Sequence, residues 1–128
     1  MLSDELINCF KDTFQISIYT RVSYNTNYSI KSNKVYMEGF VSTQKRKEEH
    51  AVINICSGTT FSIVRNYLQY GRVAVLNFAN PVIPGGGVGN GAMAQEECLC
   101  RSSNLYACIS ASNVYEEYYG CLLYTSDA

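Results

Sequence analysis

The chain has 128 residues, a formal charge of −1, 16% charged residues and 47% hydrophobic residues. That suffices for a single domain with a real core, and it excludes both a strongly basic nucleic-acid binder and an acidic disordered tail. No apolar run approaches bilayer-spanning length, and the start "MLSDELINCF" has neither a basic segment nor a long apolar block, so a cytoplasmic protein without signal peptide or membrane contact is expected.

The first fifty residues carry the weakest pattern. "ISIYTRV" (Ile16 to Val22) alternates apolar and polar positions and predicts a strand, with "KVYMEGF" a second candidate. "TQKRKEEH" (Thr43 to His50) is a charged loop or helix end, its basic residues offset by two glutamates. From Ala51 the pattern sharpens. "AVINIC" suits a strand buried on both faces. Thr59 or Thr60 can cap the next helix, on which Ile63, Val64, Tyr67 and Leu68 share one face, and Gly71 stands where a left-handed C-terminal cap belongs. "RVAVLNF" then reads as a second buried strand. Strand, helix and strand with short connections predict a βαβ unit, hence an α/β fold with parallel strands.

Six cysteines invite a disulfide or metal reading. Their spacing is irregular, Cys98-x-Cys100 is the single close pair, and His50 is the sole histidine, so reduced and mostly buried thiols are expected, with no metal.

Ligands of open α/β sheets sit at the carboxyl ends of strands, and "ANPVIPGGGVGNGA" leaves the second predicted strand at that place. Gly85, Gly86, Gly87, Gly89 and Gly91 let a ligand approach the main chain, and amides feeding a helix start near Ala92 would form an anion cradle. No Gly-Lys-Ser/Thr follows, and the spacing does not fit the dinucleotide fingerprint. Gln95, Glu96 and Glu97 fall in the first turns of the next helix, where carboxylates are favoured. Successive helical residues point about 100° apart, so the two glutamates can serve different tasks. Ala94, Cys98, Leu105 and Cys108 suggest that helix's buried stripe, and Tyr115, Tyr118 and Tyr119 read as core, with base stacking the sharper alternative.

"GGGVGNGAMAQEE" resembles the Gly-Gly-Gly, spacer, Gln-Glu-Glu signature of the poly(ADP-ribose) glycohydrolases. With "VLNFANP" and "QEECLCRSSNLY" it is similar to the microbial-type branch, over residues 59–119. The resemblance implies a macrodomain-like three-layer α/β/α sandwich with a mixed sheet. It also implies hydrolysis of ribose–ribose O-glycosidic bonds in poly(ADP-ribose), releasing ADP-ribose, with ADP-ribosylated proteins as partners and no cofactor. Glu97 would be the catalytic acid and base, and Glu96 would hydrogen-bond ribose hydroxyls. Gln95 would support the loop, Asn80 would contact the distal ribose, and Gly85, Gly86 and Gly87 would let the backbone approach that ribose and the diphosphate. The alternatives are a reader that binds ADP-ribose without cutting it, and a hydrolase of another ADP-ribose linkage.

The terminal "CLLYTSDA" matches the translation of a sequencing-adaptor end, so residues 121–128 are expected to be non-native, leaving residues 1–120 as the N-terminal part of one glycohydrolase domain. Family members continue with later strands and a second loop for diphosphate and adenine. On that reading the chain is an inactive, aggregation-prone fragment with an open sheet edge that a second copy could pair with.

Overall fold

The computed structural model describes residues 1–36, 39–43 and 50–119. In chain order the helices are α1 (Leu2–Tyr19), α2 (Ser23–Ser32), α3 (Thr60–Tyr67), α4 (Gln95–Ser102), α5 (Leu105–Ile109) and a short α6 (Ser112–Val114). Single 3₁₀ turns occupy Leu68–Tyr70 and Val88–Asn90, and a π turn occupies Tyr115–Tyr119. The chain divides into two compact units, one of Met1–Val35 with the chain from Leu76 onward, the other of Tyr36–Val75.

In the larger unit α1 is set by spacing that spans more residues than the local alternation does. Asp4 and Glu5 stand in its first turn, where the helix dipole favours them. Phe10 and Phe14, four residues apart, both meet the Tyr106 ring edge-on, at centroid distances of 4.9 and 5.4 Å. Between them Thr13 Oγ1 donates to the Arg101 carbonyl at 2.8 Å, which ties α1 to α4. The predicted strand Ile16–Val22 is therefore the end of this helix and its exit. Ser17 Oγ donates to Thr13 O at 2.8 Å, and Thr20 Oγ1 closes the last turn on Ile16 O at 2.6 Å. The short alternation loses to an amphipathic face with tertiary partners.

Side-chain amides seat α2 on the C-terminal helices. Asn33 Nδ2 donates to Cys108 O at 3.0 Å, and Asn104 Nδ2 to the buried Thr26 Oγ1 at 3.3 Å. The core is built from Val88, Leu99, Cys100, Ala107, Cys108 and Tyr119. Of the predicted stripe Cys108 is buried and Leu105 half-buried, whereas Ala94 and Cys98 are exposed. Burial passes instead through Glu96, Glu97, Leu99, Cys100 and Arg101. The tyrosines divide: Tyr119 is core, while Tyr115 and Tyr118 are exposed, the first stacked on it and the second meeting it edge-on. The thiols also depart from expectation, since Cys9, Cys56 and Cys98 are exposed while Cys100 and Cys108 are buried; Cys121 lies outside the described residues.

In the smaller unit Thr59 caps α3. Its Oγ1 accepts from Ser62 N at 3.3 Å, and Ser62 Oγ returns a bond to Thr59 O at 2.8 Å. Of the predicted face, Ile63 and Val64 are half-buried and Tyr67 and Leu68 exposed. Gly71 follows the 3₁₀ turn with φ 139°, a conformation that glycine takes readily but not the left-handed helical cap.

The predicted α/β architecture, a three-layer sandwich with a mixed sheet, is overturned: among the described residues there is no strand. Residues 51–56 and 72–78 are irregular, and Val52, Ile53, Ile55, Leu76 and Phe78 are all exposed. A strand buried on both faces requires a backbone partner on each side and a layer over each face. The apolar runs meet the local half of that requirement, and no ladder supplies the other half. The βαβ unit falls with the strands. The segments "KVYMEGF", "TQKRKEEH" and 121–128 lie wholly or partly outside the described residues. No helix among the described residues is long and apolar enough to cross a membrane.

Candidate active site

Helix α4 begins without a side-chain cap, its N-cap position being Ala94. The three polar residues of its first turn reach back instead and bond to residues 76–87. Gln95 Oε1 accepts from Phe78 N at 2.9 Å, and Gln95 Nε2 donates to Leu76 O at 2.9 Å. One side-chain amide thereby offers this segment the donor and acceptor that a neighbouring strand would offer.

Glu96 is 2% exposed and more fully engaged. Its Oε1 accepts from Asn77 Nδ2 at 3.3 Å and Gly85 N at 3.2 Å, and its Oε2 accepts from Asn80 N at 2.7 Å. A carboxylate has about four lone-pair sites, so about one remains. Glu97, 7% exposed, is different. Its Oε1 accepts from Gly87 N at 2.9 Å, while its Oε2 is buried with no hydrogen-bond partner among the described residues.

The glycine loop fits this pair closely. Gly86 has φ 54°, and a Cβ there would stand 2.5 Å from Glu97 Oε1 and 3.5 Å from Glu96 Oε2. Only a residue without a side chain brings its backbone so near both carboxylates in that conformation. Gly86 N and Val88 N bond back to Ile83 O and Gly85 O, at 3.0 and 3.1 Å. The amides of residues 85–88 are thus all engaged, and the anions that Gly85 and Gly87 hold are the protein's own carboxylates. Asn80 shapes the entry: its Oδ1 accepts from Val82 N and Ile83 N, both at 2.9 Å, an Asx turn leading into Pro84.

All seven residues predicted for the site (Asn80, Gly85, Gly86, Gly87, Gln95, Glu96 and Glu97) are therefore brought together, through the hydrogen bonds and close approaches given above. Two others belong with them and were not singled out. Asn77, in the same "NFAN" run, bonds Glu96 and leaves its own Oδ1 buried without a partner among the described residues. Arg101, 8% exposed, donates from Nη1 to Ala92 O at 2.6 Å and from Nη2 to Cys98 Sγ at 3.4 Å, fixing the loop's exit against α4. Its four-residue spacing from Glu97 is the one sequence signal that could have drawn attention to it.

The nearby acids are held neutral. Burial, then the charges of Glu96 and Glu97, push the Cys100 thiol up to about 12 against the opposing Arg101 guanidinium. Burial, then Glu96, raises the Tyr119 phenol to about 12. Cys100 is thus no thiolate nucleophile at neutral pH. Among the described residues no group of three or more His, Cys, Asp or Glu side chains is placed to hold a metal ion.

A buried carboxyl with one unbonded oxygen, beside a bare backbone loop and a second, anchored carboxylate, can serve in general acid–base chemistry. Residues 8–125 match the microbial-type PARG catalytic domain, and the chain belongs to that family. The match extends the resemblance of residues 59–119 to the N-terminal helices. No curated protein and no solved structure matches the chain.

Proposed function

We propose that the protein hydrolyses the ribose–ribose O-glycosidic bonds of poly(ADP-ribose), with Glu97 as both general acid and general base. The observation that carries this reading is the asymmetry of the two glutamates. Glu96 spends three lone pairs on the protein's own donors, whereas Glu97 Oε2 is buried and unbonded among the described residues. Protonated Glu97 gives its proton to the bridging oxygen as the glycosidic C–O bond breaks. Water then adds to the oxocarbenium carbon and returns a proton to the carboxylate, releasing ADP-ribose and restoring the residue.

The remaining roles follow from what each group has left. Glu96 orients the sugar by accepting one ribose hydroxyl on its last lone pair. Asn80, whose oxygen is committed to its turn, offers Nδ2 to the distal ribose. Gln95 holds residues 76–78 in place, and Gly85 to Gly87, which have no side chains, let the ribose approach the main chain, their amides remaining on Glu96, Ile83 and Glu97 rather than on the diphosphate. Poly(ADP-ribose) on ADP-ribosylated proteins is the substrate.

The test is ADP-ribose release from poly(ADP-ribose) by the wild type and by Glu97→Gln, with ADP-ribose affinity measured alongside. A loss of about 10²- to 10⁴-fold in the variant with affinity kept is expected. A wild type that binds ADP-ribose and releases none would overturn the reading in favour of a reader or of a hydrolase for another linkage.

A further inference from the structure

We infer that Asn77 is a substrate-binding residue, its Oδ1 accepting a hydrogen bond from a ribose hydroxyl, which deepens the glycohydrolase reading and rests on it. The argument starts from Glu96. Oε1 of that carboxylate receives Asn77 Nδ2 at 3.3 Å and Gly85 N at 3.2 Å, so the amide nitrogen of Asn77 must face it. Turning the amide over would set Oδ1 against Oε1, two acceptors with no proton between them. Asn77 therefore cannot find a donor for Oδ1 by rotation.

That oxygen is buried and has no partner among the described residues. A buried acceptor left unbonded is costly, which makes a ligand donor at this position favourable. The Asn77 amide is joined to the glycine loop through Glu96, whose Oε1 takes both Asn77 Nδ2 and Gly85 N. A buried acceptor calling for a donor fits a ligand that carries hydroxyls better than an anion, whose oxygens offer no proton. The loop amides, already occupied by Glu96 and Glu97, point the same way. Asn77 thus contributes to selection of a sugar with its hydroxyl intact, and Glu96 holds it in the selecting orientation.

The experiment compares wild type, Asn77→Leu and Asn77→Ser on poly(ADP-ribose), and on ADP-ribose and its singly deoxygenated ribose analogues. Asn77→Leu is expected to raise KM and ADP-ribose Kd on the order of tenfold, with kcat changed by less. Asn77→Ser, which keeps a smaller acceptor, should recover part of that loss. For the analogue lacking the hydroxyl that Asn77 binds, the Leu variant should lose nothing further, a coupling that a purely structural role would not produce. Unchanged KM and Kd in the Leu variant would overturn the inference. So would an equal loss on every analogue, or a wild type that binds all analogues as it binds ADP-ribose. A wild type with neither release nor ADP-ribose binding would instead overturn the underlying glycohydrolase reading, and the inference with it.

Discussion

Two regions of this chain carry apolar runs that are exposed and form no strand among the described residues, but they differ in how their backbone is engaged. In residues 76–87 the backbone is engaged by the first turn of α4: Gln95 takes Leu76 and Phe78, Glu96 takes Asn80 and Gly85, and Glu97 takes Gly87. In residues 51–56 the apolar side chains are exposed, with Ile55 at 99%, and no ladder forms among the described residues. Apolar sequence alone does not organise a segment. Polar side chains a few residues away can, because they satisfy backbone groups without a second strand.

The sharpest way to break that contrast is to remove the organiser. Glu96→Ala leaves Gly85 N, Asn80 N and Asn77 Nδ2 without their acceptor, and destabilisation of about 3–5 kcal/mol is expected by urea or thermal unfolding. Glu96→Gln, which keeps one acceptor oxygen, should cost less than half as much. Unfolding within about 1 kcal/mol of wild type for the Ala variant would show that the loop holds itself. Next comes Gly86→Ala, which adds left-handed strain to a Cβ placed 2.5 Å from Glu97 Oε1. It should cost about 2–3 kcal/mol and displace the acid, reducing ADP-ribose release. Gly71→Ala is the control from the smaller unit: φ is 139° there, but among the described residues nothing beyond its chain neighbours lies within 4 Å of the added Cβ, so strain alone remains. Equal effects of the two glycine substitutions would remove the distinction.

The site was more legible in the sequence than the fold was. Gln-Glu-Glu at a helix start, a bare loop before it and a cap at Thr59 are all short-range patterns, decided within about ten residues of chain. Strand pairing is non-local, and a run such as "AVINIC" states only that it could be buried. Helix α1 escaped notice for a related reason. Its face is declared by Phe10, Thr13 and Phe14 meeting Tyr106 and Arg101 some ninety residues later, while the last turn taken alone alternates like a strand. Asn77 escaped because its place in the site lies in what it bonds and not in any spacing, while Arg101 offered only its four-residue spacing from Glu97.

The alkaline limb of stability sharpens the picture of the buried pair. Cys100 and Tyr119 have ordinary values of 9.0 and 10.0, and both rise to about 12 in the folded chain, through burial first and then Glu96. The folded protein therefore keeps protons that the unfolded chain gives up. The stabilisation is complete below pH 9 and is lost as pH climbs from 9 toward 12. Urea midpoints should fall across that window, and Cys100→Ala should flatten the slope. A slope unchanged by the substitution would place the titration elsewhere.

The smallest effect belongs to the region without the carboxylate clamp. Thr59→Ala removes the oxygen that accepts from Ser62 N and should cost about 1 kcal/mol. It should appear as faster hydrogen exchange at the first amides of α3, and ADP-ribose release should be untouched. That separation is the useful part. The cap is a local device serving eight residues of helix, whereas Glu96 is a local device serving a loop on which the proposed chemistry depends. If release falls in step with exchange at α3, the cap serves more than its own helix, and the contrast between the two regions does not extend to function.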